Sequence, residues 1–117
     1  MNLKLKAWIV SLILQGQAEE ALELLAKNYK VNTPKIRVGL PKGHKAKASG
    51  CYTTKDATIF VLNSDIMVNP FVVLHEFYHH IRTSIDKKHK GTEKKANRFA
   101  IEFIEAYKAM LNPQNNT

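Results

Sequence analysis

The stretch NPFVVLHEFYHH, residues 69–80, is the most informative part of the sequence. Asn69 is a favourable N-cap, and Pro70 suits the first turn of a helix, where its missing N–H leaves no hydrogen bond unmade. We therefore predict a helix that begins at Asn69-Pro70 and runs to about Ser84.

Inside this helix, His75, Glu76 and His79 match the metal-binding pattern HExxH. Residues four apart lie on one face of a helix, so both imidazole rings can reach one ion, and Glu76 then lies beside a metal-bound water as a general base. With the five His and seven Glu of this chain, the pattern is expected by chance in about one such sequence in a hundred. The other interpretation is that both histidines are ordinary surface or core residues of an amphipathic helix. However, the predicted core stripe of the helix is already supplied by Leu74, Tyr78, Ile81 and Ile85.

A catalytic zinc ion needs a third protein ligand and one open position for water. The extended pattern with a third histidine is excluded, because Arg82 and Ile85 stand where that pattern requires Gly and His. The remaining source is the last predicted helix, which begins at Thr92 and continues to about Leu111.

Among the acids of that last helix, Glu93 is the predicted ligand. At 100° per residue it lies in register with an apolar stripe, whereas Glu102 and Glu105 point towards water. The stripe consists of Ala96, Ala100, Phe103 and Tyr107. We expect Glu93 to face the core, where a carboxylate needs a partner such as zinc. The alternative is an acid near the helix N-terminus that the helix dipole stabilises.

Asn97 lies one turn after Glu93 on the same face of the helix. Its side-chain oxygen could accept a hydrogen bond from the free ring N–H of a ligating histidine, and the alternative is a polar residue at the edge of the core. The predicted site is therefore one zinc ion per chain, held by His75, His79 and Glu93 and supported by Asn97.

The other elements predict an α+β fold. Apolar residues recur at intervals of three and four over 3–29, which indicates one helix or a helix pair broken near Gly16. The stretch 35–40 alternates as a short strand, and 50–53 with 57–62 form a hairpin.

We predict one domain over residues 1–117, with a small, mostly antiparallel three-stranded sheet between the N-terminal helices and the two later helices. Residues 113–117 are predicted to form a frayed polar tail.

The charge balance is strongly basic, with eighteen Lys and Arg against ten Asp and Glu. The resulting net charge of +8 would attract acidic proteins, nucleic acid or anionic surfaces. The bases are spread over the chain without the interleaved aromatic residues of a single-strand binding platform. Nucleic acid could therefore bind, but no motif indicates it, and a solvated surface is the favoured interpretation.

The chain is expected to act in the cytoplasm. Its single cysteine, Cys51, excludes an internal disulfide and is expected to be a buried thiol in a reducing compartment. Residues 1–14 loosely imitate a signal peptide, but no small-x-small cleavage site follows them. Their apolar run is too short to span a bilayer, so we predict no membrane anchor.

Together with HExxH, the segment EKKANRFA at residues 93–100 resembles the ExxA(N/D)xFA signature of the ImmA/IrrE-type peptidases and of the minigluzincins, which are gluzincin metallopeptidases. The resemblance covers residues 31–111 and implies a minimal zincin fold. It also implies that residues 50–52 and the strand 57–63 form the substrate-binding edge above the metal helix. The larger gluzincins have Asp where this chain has Asn97.

The resemblance implies hydrolysis of a peptide or protein substrate by a metal-activated water. Glu76 would take the proton of that water and deliver it to the leaving amine, while an extended peptide adds as a strand. Candidates for stabilising the oxyanion are His44, Tyr52, His80 and Arg82. Only fourteen positions separate His79 from Glu93, which predicts a shallow cleft. The activity is expected to be weak or latent, with residues 112–117 as a segment that could occupy the cleft.

Two classes of function therefore remain. The first is a zinc metallopeptidase in which Glu76 is the catalytic base. The second is a non-catalytic module that zinc stabilises and whose basic surface binds an acidic protein or nucleic acid. They differ in whether Glu76 matters, because a binding module has no use for a general base.

Overall fold

The computed structural model describes residues 1–43, 48–85 and 92–112. In these ranges five helices and three strands form an α+β fold, as predicted. The elements are α1 (Leu3–Leu14), α2 (Ala18–Tyr29), β1 (Lys35–Val38), β2 (Gly50–Thr53), β3 (Thr58–Val61), α3 (Ser64–Met67), α4 (Pro70–Ile85) and α5 (Thr92–Leu111). The short helix α3 has no counterpart in the predicted elements, and the tail predicted at 113–117 lies outside the described residues.

The ends of the helices follow local signals in the sequence. Gly16, with φ of +83°, separates α1 from α2 at the predicted break, because this left-handed conformation costs glycine little. Helix α4 begins where Asn69 and Pro70 predicted it, and the Asn69 side-chain oxygen accepts a hydrogen bond of 3.3 Å from the backbone N–H of Val72. Helix α5 has the predicted bounds.

The sheet has the order β1-β3-β2. Strands β2 and β3 pair antiparallel, as the predicted hairpin requires, but β1 and β3 pair parallel. The expectation of a mostly antiparallel sheet is therefore wrong, because β3 inserts between the two strands that precede it and runs in the direction of β1. Strand β2 lies at an edge of the sheet.

The core lies between the helices and the sheet, and α4 contributes one of its walls. On α4, Leu74 and Ile81 are buried as predicted, whereas Tyr78 is only half-buried and Phe77 takes the fully buried position. The side chain of Ile85 lies outside the described part of the structure. Cys51 on β2 is a buried thiol, as expected.

Helix α5 packs against α1 and α4. This arrangement holds the first turns of α5 beside the middle of α4, which is the position that the metal-binding residues require. None of the helices in the described ranges is both long enough and apolar enough to cross a membrane.

Candidate metal centre

The packing of α4 against α5 brings His75, His79 and Glu93 together. The two carboxylate oxygens of Glu93 point at different histidines, with Oε2 lying 3.1 Å from His75 Nε2 and Oε1 lying 2.8 Å from His79 Nε2. The two Nε2 atoms are 3.2 Å apart. Two imidazole nitrogens and the two oxygens of one carboxylate, supplied by two helices, therefore lie close together.

The spacing of these atoms fits a metal ion. Ligands of a tetrahedral zinc ion with bonds of about 2.0–2.1 Å lie about 3.3 Å from one another. The nitrogen–nitrogen separation and the two nitrogen–oxygen separations, which involve different oxygens of Glu93, are each within about half an ångström of that value. One ligand atom from each residue lies within 4.8 Å of the other two, so these residues could hold a metal ion. Two imidazole nitrogens and a carboxylate suit zinc, and other divalent ions could use the same donors.

The tautomer of His75 follows from its second ring nitrogen. His75 Nδ1 lies 2.8 Å from the side-chain oxygen of Asn97. An amide oxygen only accepts hydrogen bonds, so the ring N–H is on Nδ1 and the neutral ring has its lone pair on Nε2. Asn97 therefore turns the ligating nitrogen of His75 towards Glu93 and His79.

Glu93 does not face the core. Its side chain is 75% exposed, so the expectation of a buried carboxylate is wrong. The buried side of α5 already begins at Thr92 and continues through Ala96 and Phe103, and Glu93 lies about 60–100° around the helix from these residues, at the border of that side. The Glu93 carboxylate nevertheless has partners, because it contacts both histidines at the surface.

Glu76 lies on the wall of the same site. Its side chain is only 7% exposed, and this burial, together with the negative charge of Glu93, raises the pKa of Glu76 to about 7. The cavity beside it has a volume of about 360 Å³ and is lined by Gly50, Cys51, Tyr52, Thr54, His75, Glu76, His79, Thr83 and Glu93. A carboxyl group with this pKa can both accept and release a proton near neutral pH.

Of the four residues considered as oxyanion donors, Tyr52 lines this cavity. His44 lies outside the described residues, and neither His80 nor Arg82 lines it. Tyr52 is half-buried, and its hydroxyl lies 2.7 Å from His80 Nδ1.

His80 is held inside the fold. It is 2% exposed, and its Nε2 lies 2.6 Å from the backbone oxygen of Asn32, so Nε2 carries the proton. Burial lowers the pKa of His80 despite the hydrogen bond to Asn32, which leaves Nδ1 to accept a hydrogen bond from Tyr52. His80 therefore positions the Tyr52 hydroxyl at the rim of the cavity, a role that spacing in the sequence did not predict.

Gly50 has a role that only the packing shows. A Cβ atom at this position would lie 2.7 Å from Val72 Cγ1 and 3.1 Å from the Phe60 backbone oxygen, with Glu76 Cγ at 3.5 Å. Only glycine lets β2 approach α4 this closely without a shift of its neighbours. In the sequence, a glycine at the start of a predicted strand is the feature that could have indicated this close approach.

In comparisons with known proteins, no family model, no curated protein and no solved structure matches the chain. The assignment of a function therefore depends on the chemistry of the site.

Proposed function

We propose that this chain is a zinc-dependent metallopeptidase of the gluzincin type that acts in the cytoplasm. One observation carries the proposal: the imidazoles of HExxH and the Glu93 carboxylate converge within 3.2 Å, while the buried Glu76 lines the same cavity. A structural metal site would not need a buried carboxyl group with a raised pKa beside its ligands. The lone cysteine supports the cytoplasm as the compartment, because the chain has no internal disulfide that would need an oxidising environment.

His75, His79 and Glu93 would hold the ion, and zinc bound there supplies a water of lowered pKa and polarises the scissile carbonyl. Glu76 is the base that accepts the proton of the attacking water. A pKa of about 7 lets the same carboxyl group then deliver this proton to the leaving amine. Asn97 keeps the His75 ring in the ligating tautomer throughout.

The edge strand β2 is the proposed site for the peptide substrate. Its residues Gly50, Cys51 and Tyr52 line the cavity, and among the described residues only β3 pairs with it, on one of its two sides. The other side offers backbone N–H and C=O groups, with which an extended peptide can pair. The close approach of Gly50 to Glu76 would bring such a peptide near the base.

The first experiment is elemental analysis of the purified protein and of Glu93→Gln, with Glu105→Gln as the control on the exposed face of the same helix. About one zinc per chain is expected in the native protein and in the control, and much less in Glu93→Gln. Full retention of metal by Glu93→Gln would contradict the ligand set.

The second experiment separates an enzyme from a binding module. Zinc-loaded native protein and Glu76→Gln are incubated with a mixed peptide library, and the products are identified by mass spectrometry. Cleavage by the native protein and its loss in Glu76→Gln, with zinc retained in both, are the expected results. No cleavage by either protein would favour the non-catalytic module, and equal cleavage by both would contradict the role of Glu76 as the base.

A further inference from the structure

The positive charge of the sequence is concentrated in the two stretches that contain β2, the end of α4 and the start of α5. Residues 42–55 and 82–98 contain eleven of the eighteen Lys and Arg but only two of the ten Asp and Glu. The remainder of the chain has seven basic and eight acidic residues, so it is nearly neutral. The two basic segments include β2, the end of α4 and the start of α5, which provide most of the cavity lining.

Several basic side chains of both segments are exposed, although that of Arg82 is half-buried. Lys42, Lys55, Lys94 and Lys95 are all exposed in the described part of these segments. The acids among the cavity-lining residues are Glu76 and Glu93, and the proposed metal ion would offset their charge. A bound substrate would therefore meet a positive field around a site that is itself close to neutral.

A second cavity extends the metal cavity past the end of β2. It has a volume of about 450 Å³ and shares Tyr52, Thr54 and Thr83 with the metal cavity. Its remaining lining residues are Asn32, Lys55, Ala57, His80 and Ser84. Lys55 is the one lysine or arginine among these lining residues, and its exposed ammonium group provides positive charge at this cavity.

We propose that the peptide bound at this site is acidic, and that Lys55 binds an acidic side chain on the N-terminal side of the bond to be cleaved. This rests on the proposed peptidase function. Antiparallel pairing is the commoner arrangement of neighbouring strands, and it places the N-terminal part of an added peptide at the C-terminal end of β2, where Lys55 follows. Nucleic acid fits less well, since a sugar–phosphate backbone has no N–H donors for the carbonyl groups of an edge strand.

The test uses zinc-loaded Glu76→Gln protein, which is expected to bind peptide without cleaving it. Fluorescent peptides of equal length, in which Glu, Gln or Lys occupies the same positions, are titrated at low and at moderate salt with anisotropy as the readout. The acidic peptide should bind about tenfold more tightly than the Gln peptide at low salt, and the difference should shrink as salt rises. Equal affinities for the Glu and Gln peptides would overturn the proposal.

Variants locate the contact. In the same background, Lys55→Gln and Lys55→Glu should weaken binding of the acidic peptide by about three- to fivefold, as expected for one exposed charge pair. Lys27→Glu changes the net charge by as much as Lys55→Glu but lies on α2, and it should weaken binding less than about twofold. Circular dichroism checks that each variant is folded. Equal losses of affinity in Lys27→Glu and Lys55→Glu would show that the overall charge of the protein causes the effect, and would overturn the role of Lys55.

Single-stranded DNA of matched length provides the remaining comparison. Binding of DNA more tightly than the acidic peptide, with the two competing, would overturn the choice of a peptide partner. Binding is measured on Glu76→Gln, which is not expected to cleave. The preference for acidic peptides can therefore be measured even if the native protein hydrolyses nothing. Acidic-peptide binding without cleavage by the native protein would support the partner chemistry and contradict the peptidase.

Discussion

Asn97 on α5 and His75 on α4 are joined by a hydrogen bond of 2.8 Å between the amide oxygen and His75 Nδ1. The two residues are separated by 22 positions in the chain, so the bond exists only because the two helices pack side by side. It selects the tautomer whose Nε2 lone pair faces His79 and Glu93. The arrangement gives Asn97 a definite role in metal affinity.

Asn97→Ala should lower the affinity for zinc by about 10- to 100-fold, because the His75 ring loses the partner that orients it. Asn97→Asp should retain the affinity, because a carboxylate accepts the same hydrogen bond. Competition with a chromophoric zinc chelator measures both variants against Glu105→Ala, a substitution of an exposed residue on the same helix. An unchanged affinity in Asn97→Ala would show that the bond does not orient the ligand.

The pKa of Glu76 predicts how stability depends on pH in the metal-free protein. In the folded state the pKa is raised from 4.5 to about 7, so the folded protein binds a proton more tightly than the unfolded chain. The stability from this proton is fully present below pH 4.5 and is lost as the pH rises through about 7.

Glu76→Gln removes this titration while it keeps the shape of the side chain. The difference in unfolding free energy between native protein and Glu76→Gln should therefore fall by about 3 kcal/mol between pH 4.5 and 7, measured by urea denaturation in the presence of a chelator. A difference that stays constant with pH would show that Glu76 titrates normally.

Gly50→Ala should destabilise the protein by about 1–3 kcal/mol, because the new methyl group overlaps Val72 Cγ1. Val72→Ala removes that atom. In a double-mutant cycle followed by urea denaturation, Gly50→Ala should cost less in the Val72→Ala background than in the native one. Equal costs in both backgrounds would assign the effect to the Phe60 backbone contact instead.

His80 should be a neutral imidazole with its proton on Nε2 at neutral pH, since Asn32 accepts from that nitrogen and burial lowers the pKa. Long-range ¹⁵N correlation spectra identify the tautomer. Tyr52→Phe should leave the tautomer unchanged but cost about 1 kcal/mol of stability, because His80 Nδ1 loses its donor. Tyr107→Phe, on α5, is the control. An Nδ1–H tautomer in the native protein would contradict this hydrogen-bond scheme.

Local signals in the sequence were enough for the helices and for the pair of histidines. Asn69, Pro70 and Gly16 act through their own backbone conformations, and the spacing of His75 and His79 places both rings on one face in any α-helix. The helix bounds at Pro70 and Thr92 follow from such signals. These features depend on residues within one or two turns of one another.

Features that depend on distant parts of the chain could not be predicted from local signals in the sequence. The parallel pairing of β1 with β3 and the contact of Gly50 with Val72 depend on how separate elements pack. The same is true of His80, whose partner Asn32 is 48 residues away. The exposure of Glu93 was not predicted because a helical period shows which residues share a face, but not on which residues the packed side is centred.

The sequence was sufficient to name His75, Glu76 and His79 as residues of one candidate site, since HExxH is a local pattern. It also named Glu93, but the register argument for that residue carried an expectation of burial that was wrong. The tertiary packing then set the separations between their donor atoms and the raised pKa of Glu76. Distance and burial are properties of packed elements, because they arise when α4, α5 and β2 exclude water from the space between them.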